Sequence, residues 1–380
     1  MTHLIKLIAL CNFLFFASNQ VTAQFAIGRT TRDFKDADRN NRNVNVIIHY
    51  PALTNGTDVP IADGLFPAIS IGHGFVMMVS SYDHMADSFA VAGMIGIKVN
   101  TETSFAPSHG DFGKDLAFVL KALKAESLIS TSIFYNRVAE NKAVIGHSMG
   151  GGATFLAGGA DSDIDALVGF APAETSVSAI GAAGNIDVPV LIFTAEDDCV
   201  VPPSGSPKQI YEALSGPCKW LMDVKQASHC KFALNNALCN IGEANCQGKL
   251  THLQQQKIMF RYMMPFLKAN LLDQKSPWLK IMENVSNDTE VSLQTPGFCS
   301  ALSVKSPYLQ SNKLIRIQAN SYQLETTLTG SLRVFDLLGR QIFQAEVLPG
   351  ISTIVINPDF KGIRLFVLSN KSGEQSWKMD

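Results

Sequence analysis

The pentapeptide Gly146-His147-Ser148-Met149-Gly150 constrains this chain more than any other stretch. It follows the apolar run Ala143-Val144-Ile145 and opens onto Gly151-Gly152-Ala153-Thr154-Phe155-Leu156-Ala157. An apolar strand, a glycine-flanked serine and a small-residue helix describe a sharp strand-to-helix turn. So tight a turn leaves little room beside the serine, which accounts for glycine on both sides. The turn lifts Ser148 Oγ above the end of a sheet, beside the N-terminus of the next helix, where developing negative charge is favoured. A serine in that place is a candidate nucleophile. The plain alternative is a glycine-rich turn with an incidental serine, and the pattern alone does not separate the two.

The 380 residues, 46% hydrophobic and 17% charged, suffice for one large domain and a smaller one. A formal net charge of −2, with no run of like charges, speaks against the basic stripe of a nucleic-acid binder. The chain opens with Lys6 and an apolar stretch from Leu7 to Ala17, followed by Val21-Thr22-Ala23. Residues 1–23 therefore read as a secretory signal with Gln24 as the new N-terminus. The stretch is too short to span a membrane comfortably. Beyond Cys11 in that signal lie six cysteines: Cys199, Cys218, Cys230, Cys239, Cys246 and Cys299. An even count in an exported chain implies disulfides, with the pairing left open. Cys239 and Cys246 are near enough to close a small loop. No C-x-x-C pair points to zinc.

Past the signal, Phe25 to Tyr50 reads as an opening hairpin. Strands follow at Pro67–Ile71, Met94–Val99, Ala166–Phe170, Val188–Thr194 and Trp220–Val224. Helical spacing marks Ser81–Val91, Gly110–Lys124, Ser206–Leu214 and Leu250–Leu267. Alternation of these lengths argues for a doubly wound, mostly parallel sheet over residues 24–274. Residues 275–310 turn polar and read as a linker. From 311 to 380, alternating stretches such as Leu332-Arg333-Val334-Phe335 and Thr353-Ile354-Val355-Ile356 read as a small all-β sandwich.

A serine hydroxyl needs a histidine base, and the histidine needs a carboxylate to fix its tautomer. The order Ser, Asp, His along the chain is available here. Glu196-Asp197-Asp198 follows the strand Val190-Leu191-Ile192-Phe193-Thr194, at the strand end where such sheets place their chemistry. Asp198 is chosen, four residues before Pro202, with Asp197 as the other candidate. His229 falls in the loop after Trp220–Lys225 and is the candidate base. Cys199 follows Asp198 and Cys230 follows His229, so these two cysteines are candidates to bridge and brace both loops, or each pairs elsewhere. Two backbone amides are needed for an oxyanion. Met149 follows the nucleophile, and Phe75 lies in the loop Gly72-His73-Gly74-Phe75 after an early strand.

Gly146-His147-Ser148-Met149-Gly150-Gly151-Gly152, the acid loop after Val190–Phe193 and the Ser228-His229 pair give residues 24 to about 270 a resemblance. They resemble the α/β-hydrolases that include dienelactone hydrolases, chlorophyllase-like esterases and cutinase-like poly(ethylene terephthalate) hydrolases. The resemblance implies an α/β-hydrolase fold, a Ser148–Asp198–His229 triad, oxyanion donors at Phe75 and Met149, and no cofactor or metal. Polyester hydrolases usually carry a tryptophan after the strand that follows the elbow helix; here Phe170-Ala171-Pro172-Ala173-Glu174-Thr175-Ser176 has none. The C-terminal residues, through Val334-Phe335-Asp336-Leu337-Leu338-Gly339-Arg340-Gln341 and Gly362–Met379, resemble a type IX secretion sorting domain. The usual G-x-Y is replaced by Gly362-Ile363-Arg364. That resemblance implies the type IX secretion machinery as partner and a place in the medium or at the cell surface.

Together these features predict a secreted serine hydrolase that cleaves carboxylic esters through an acyl-enzyme on Ser148; they do not fix its oligomeric state, for which a monomer is the working expectation. The alternatives are a catalytically inactive hydrolase fold that binds at the surface, and a dienelactone hydrolase or amidase-type activity.

Overall fold

The computed structural model describes residues 25–296 and, in the C-terminal part, residues 313–318, 321–326, 329–336, 341–348, 350–356, 364–370 and 373–379. The expected signal, residues 1–23, lies outside the described residues, as do Cys299 and most of the Gly362-Ile363-Arg364 motif.

The first part is built on a ten-stranded sheet. Its strands are β1 (Ala26–Asp36), β2 (Arg42–Ala52), β3 (Gly56–Thr57), β4 (Phe66–Gly72), β5 (Ile95–Val99), β6 (Val138–His147), β7 (Ala166–Phe170), β8 (Val190–Ala195), β9 (Lys219–Val224) and β10 (Val291–Gln294). They lie in the order β10-β9-β8-β7-β6-β4-β5-β2-β1-β3. The central run from β5 to β9 is parallel. The opening hairpin β1–β2 joins it antiparallel through β2 and β5. β4, β5, β7 and β8 are buried along their whole length, as expected of parallel strands covered on both faces.

Helices cover both faces. α2 (His109–Glu126), α3 (Met149–Ala160), α4 (Ala179–Ala183) and α5 (Ser206–Ala213) supply one apolar cluster, with Leu116, Phe155, Ala179 and Ile210 packed on Val144, Leu167 and Ile192. On the other face lie α1 (Asp83–Val91), α7 (His252–Leu271) and α8 (Lys275–Asn284), with Phe89, Met259, Phe266 and Trp278 against Ile145, Val168, Phe193 and Met222. Local signals start these helices. Ser108 caps α2 by accepting from the Asp111 amide, and Thr251 with Gln254 forms a capping box on α7. Sheet and helices have the arrangement of an α/β-hydrolase.

One boundary differs from expectation. Residues 275–294, read from sequence as the start of a linker, carry α8 and β10. Trp278 is 1% exposed and meets Trp220 and Phe266 edge-on at 5.3 and 5.4 Å. β10 pairs antiparallel with β9, from Val291 opposite Val224 to Gln294 opposite Leu221. α8 buries only Trp278 and β10 only Val291, and so few anchors leave no periodicity to read.

The C-terminal strands are β11 (Lys313–Gln318), β12 (Ser321–Thr326), β13 (Gly330–Phe335), β14 (Gln341–Val347), β15 (Gly350–Val355), β16 (Arg364–Asn370) and β17 (Gly373–Met379). They form a three-stranded sheet, β11-β12-β15, and a four-stranded sheet, β14-β13-β16-β17, both antiparallel. Leu314, Tyr322, Leu324 and Ile354 of the first share one apolar cluster with Leu332, Val334, Phe366 and Leu368 of the second, as in a small sandwich.

Candidate active site

The elbow is tighter than its sequence reveals. Ser148 sits between β6 and α3 at φ 55°, ψ −116°, a conformation that costs a non-glycine residue roughly 1–3 kcal/mol. Its backbone is pinned on both sides: the amide donates to Phe170 O at 2.9 Å, and the carbonyl accepts from Ala173 and Gly152, both at 3.0 Å. A Cβ on Gly146 would stand 2.1 Å from Gly150 O, and one on Gly150 would stand 2.3 Å from the Gly72 carbonyl carbon. The two glycines are required because β4, β6 and α3 converge behind the serine.

Asp198 and His229 meet. His229 Nδ1 lies 2.7 Å from Asp198 Oδ2, with side chains 3% and 0% exposed. Asp198 Oδ1 accepts from the amides of Val200 and Val201 at 2.8 and 2.7 Å. With Oδ2 as the acceptor, His229 carries its proton on Nδ1, leaving the Nε2 lone pair free. Of the two adjacent aspartates, it is Asp198 whose side chain reaches His229. Asp197 contributes its amide to the Ala227 carbonyl, and Glu196 binds Lys225 and the Gln226 amide. The Phe170, Phe193 and Phe232 rings pack together below, and His147 lies 6.1 Å from Phe232 and 4.7 Å from His229.

His147 links the elbow to the base loop. Its Nε2 donates to His229 O at 3.0 Å, since a carbonyl can only accept. Nδ1 is then an acceptor, and the Tyr82 hydroxyl donates to it at 2.8 Å. Tyr82 Oη in turn accepts from the Gly74 amide at 2.9 Å. Burial and the neighbouring His229 hold His147 well below the usual histidine pKa, and burial pushes the Tyr82 phenol up, so both stay neutral. A buried chain of hydrogen bonds thus runs from the loop after β4, through the elbow, to the backbone of His229. Gln255 on α7 closes the other side, accepting from Ser228 N at 3.0 Å and donating to Ser228 O at 2.8 Å. Neither Tyr82 nor Gln255 carried a signal in the sequence, because each is defined only by what tertiary contact brings to it.

Phe75 and Met149, the two candidate oxyanion donors, lie in the loop after β4 and at the start of α3. Met149 is the first residue of α3, where a helix leaves amides unpaired. Phe75 lies inside the turn closed by Met77 N to Gly74 O at 3.1 Å, and no backbone partner meets its amide among the described residues. The Phe75 ring is exposed and meets Phe105 edge-on at 6.3 Å. Val177 after β7 and Val200 after β8 are also exposed, so apolar side chains follow the carboxyl ends of four central strands.

The cysteines decide between the pairings that the sequence left open. Cys199 pairs with Cys246 and Cys230 with Cys239; there is no Cys199–Cys230 bridge and no Cys239–Cys246 loop. Each cysteine beside a site residue is tied to the segment between Cys239 and Cys246 rather than to the other. Cys218 is also disulfide-bonded.

The profile of the PET hydrolase-like family matches residues 43–247, which contain the elbow, the Asp198–His229 pair and the Phe75 loop. The chain belongs to the PET hydrolase-like family. Among its relatives, a bis(hydroxyethyl) terephthalate hydrolase of Streptomyces coelicolor is 26% identical over 183 residues, 48% of this chain and 54% of that protein. Cutinase est1 of Thermobifida alba is 28% identical over 185 residues, 48% of this chain and 59% of that protein. A cutinase of Thermobifida fusca is 26% identical over 178 residues, 46% of this chain and 56% of that protein. The match therefore spans little more than half the length of these relatives of the PET hydrolase-like chain.

Proposed function

We propose that this member of the PET hydrolase-like family is an exported serine hydrolase that cleaves carboxylic esters through an acyl-enzyme. Ser148 Oγ attacks the ester carbonyl carbon while His229 Nε2 takes its proton. The negative oxygen of the tetrahedral intermediate accepts from the Phe75 and Met149 amides. The carbon–oxygen bond to the alcohol breaks, and His229 returns the proton to the departing oxygen. Water, deprotonated by His229, then attacks the acyl carbon; Ser148 leaves with its proton and the acid is released. Asp198 orients His229 and stabilises the imidazolium.

The observation that carries this reading is the buried 2.7 Å contact between His229 Nδ1 and Asp198 Oδ2, tied through His147 to the strained elbow that presents Ser148. The relatives' names, cutinases and a terephthalate-ester hydrolase, support an ester as the substrate class. The exposed Phe75, Phe105, Val177 and Val200 suit an apolar acyl or alcohol portion. Small esters are the proposed first substrates, since no tryptophan stands between Phe170 and Ser176 to face an aromatic ring. The C-terminal sandwich is proposed to act as the sorting domain for type IX export.

The test is turnover of short- and medium-chain p-nitrophenyl esters by the purified full chain beside Ser148→Ala, with a fluorophosphonate probe read by mass spectrometry. Turnover lost in the variant and a probe adduct on Ser148 are the expected results. A folded, oxidised protein with neither turnover nor adduct rejects the esterase reading.

A further inference from the structure

The base loop is held from three directions, and one of them lies outside the sheet-and-helix scaffold. His147 on the elbow binds the His229 carbonyl, and Gln255 on α7 binds both backbone groups of Ser228. The third hold comes from Glu243. Its Oε2 accepts from the Cys230 amide at 2.7 Å, and its Oε1 lies 3.4 Å from Ser228 Oγ, a long contact. One carboxylate thus touches the residue before His229 and the residue after it.

Glu243 follows the short helix α6 (Ala237–Gly242), in the segment from Cys239 to Cys246. It is the sole ionisable side chain between those cysteines. The segment is a strap. Cys239 is bonded to Cys230, next to His229, and Cys246 is bonded to Cys199, next to Asp198, while the Cys199 amide also contacts Cys246 Sγ at 3.2 Å. Beyond Cys246 the chain is stitched to the base loop. Lys231 Nζ donates to Gly248 O at 3.0 Å, and the Lys249 and Leu250 amides donate to Gln226 O at 2.8 and 3.1 Å. At Gly248 the approach is so close that a Cβ would stand 2.6 Å from Ser228 Cβ.

We propose that Glu243 is a positioning residue for His229: the doubly cross-linked strap presents its carboxylate to the Cys230 amide, and that bond keeps the imidazole on Asp198. A charged acceptor binds an amide about twice as strongly as a neutral one. A flexible, half-exposed strap would surrender that gain to entropy, and the two disulfides remove that freedom from its ends. The proposal rests on the reading of Ser148, Asp198 and His229 as the catalytic set, but its test need not.

The full chain, E243A and E243Q are compared by two readouts. The first is kcat and KM on a soluble p-nitrophenyl ester. E243A is expected to lower kcat about tenfold or more, in line with the penalty for small misplacements of catalytic groups, with KM within about twofold. E243Q, whose amide oxygen can still accept from Cys230 N–H, is expected to restore most of kcat. The second readout is the downfield proton resonance of His229 Nδ1–H in histidine-labelled protein, which requires no turnover. It should be kept in wild type and E243Q, and shifted or broadened in E243A. A shift in E243A without turnover in wild type would remove the esterase reading and leave the positioning role standing. E243A with wild-type kcat and an unmoved resonance overturns the proposal, as does E243Q as impaired as E243A. If E243A does not fold, E243D decides: it keeps the charge on a shorter arm, so a severalfold loss of kcat supports the role and an unchanged kcat rejects it.

Discussion

At the scale of single residues, the site depends on side chains whose orientation and tautomer are set by what they touch. Asp198 accepts from two amides through one oxygen and from His229 through the other. Asp198→Asn would keep the shape and the amide contacts but offer an N–H or a weaker acceptor to Nδ1, favouring the wrong tautomer. Its kcat on p-nitrophenyl esters is expected to fall about 10⁴-fold, with a near-native urea midpoint; a loss below about tenfold would deny Asp198 its role. Ser148, Asp198 and His229 stand out in the sequence as candidates because each belongs to a short local pattern. His147 belonged to the same pentapeptide, yet its bonds to Tyr82 and His229 connect residues 65 and 82 positions apart and have no local mark.

At the scale of elements, the strap is held by closure of chain loops. The Cys199–Cys246 bond spans 47 residues and the Cys230–Cys239 bond spans 9. On the chain-entropy account the larger loop contributes about 4 kcal/mol and the smaller about 2.6 kcal/mol. Replacing Cys199 and Cys246 together with serine is therefore expected to lower the urea unfolding free energy more than replacing Cys230 and Cys239; the reverse order would mean that native contacts in the strap outweigh loop closure. Sequence periodicity located the helices and strands that alternate regularly. It missed α4, α6, α8 and β10, which are short or anchored by few buried residues. α6 has no buried residue at all, and α8 has only Trp278.

At the scale of the whole molecule, buried neutral histidines set the response to acid. His49, His84 and His147 all titrate below the ordinary histidine value, chiefly through burial, and His84 is brought down to about 4. The unfolded chain takes up these protons near pH 6.5 while the folded chain refuses them, so stability is full above that value and falls as pH drops toward 4. His84 alone accounts for about 3 kcal/mol across that window. Asp161 and Asp288, held below the usual carboxylate value, give up their contribution only in stronger acid. Urea midpoints are expected to fall steadily from pH 7 to pH 4, and His84→Asn is expected to flatten the slope. A wild-type midpoint constant over that range would contradict this account.

The sequence by itself determined the order of the candidate residues: a glycine-flanked serine, then an acid at a strand end, then a histidine in the next loop. It also determined the alternating strands and helices that form a doubly wound sheet, because period and local turn chemistry are short-range properties. Tertiary structure alone decided which cysteines pair, that residues 275–294 complete the sheet, and which groups hold His229 in place. Those outcomes depend on distances between residues far apart in the chain, such as Gly248 against Ser228 or Trp278 against Trp220, and only packing fixes such distances.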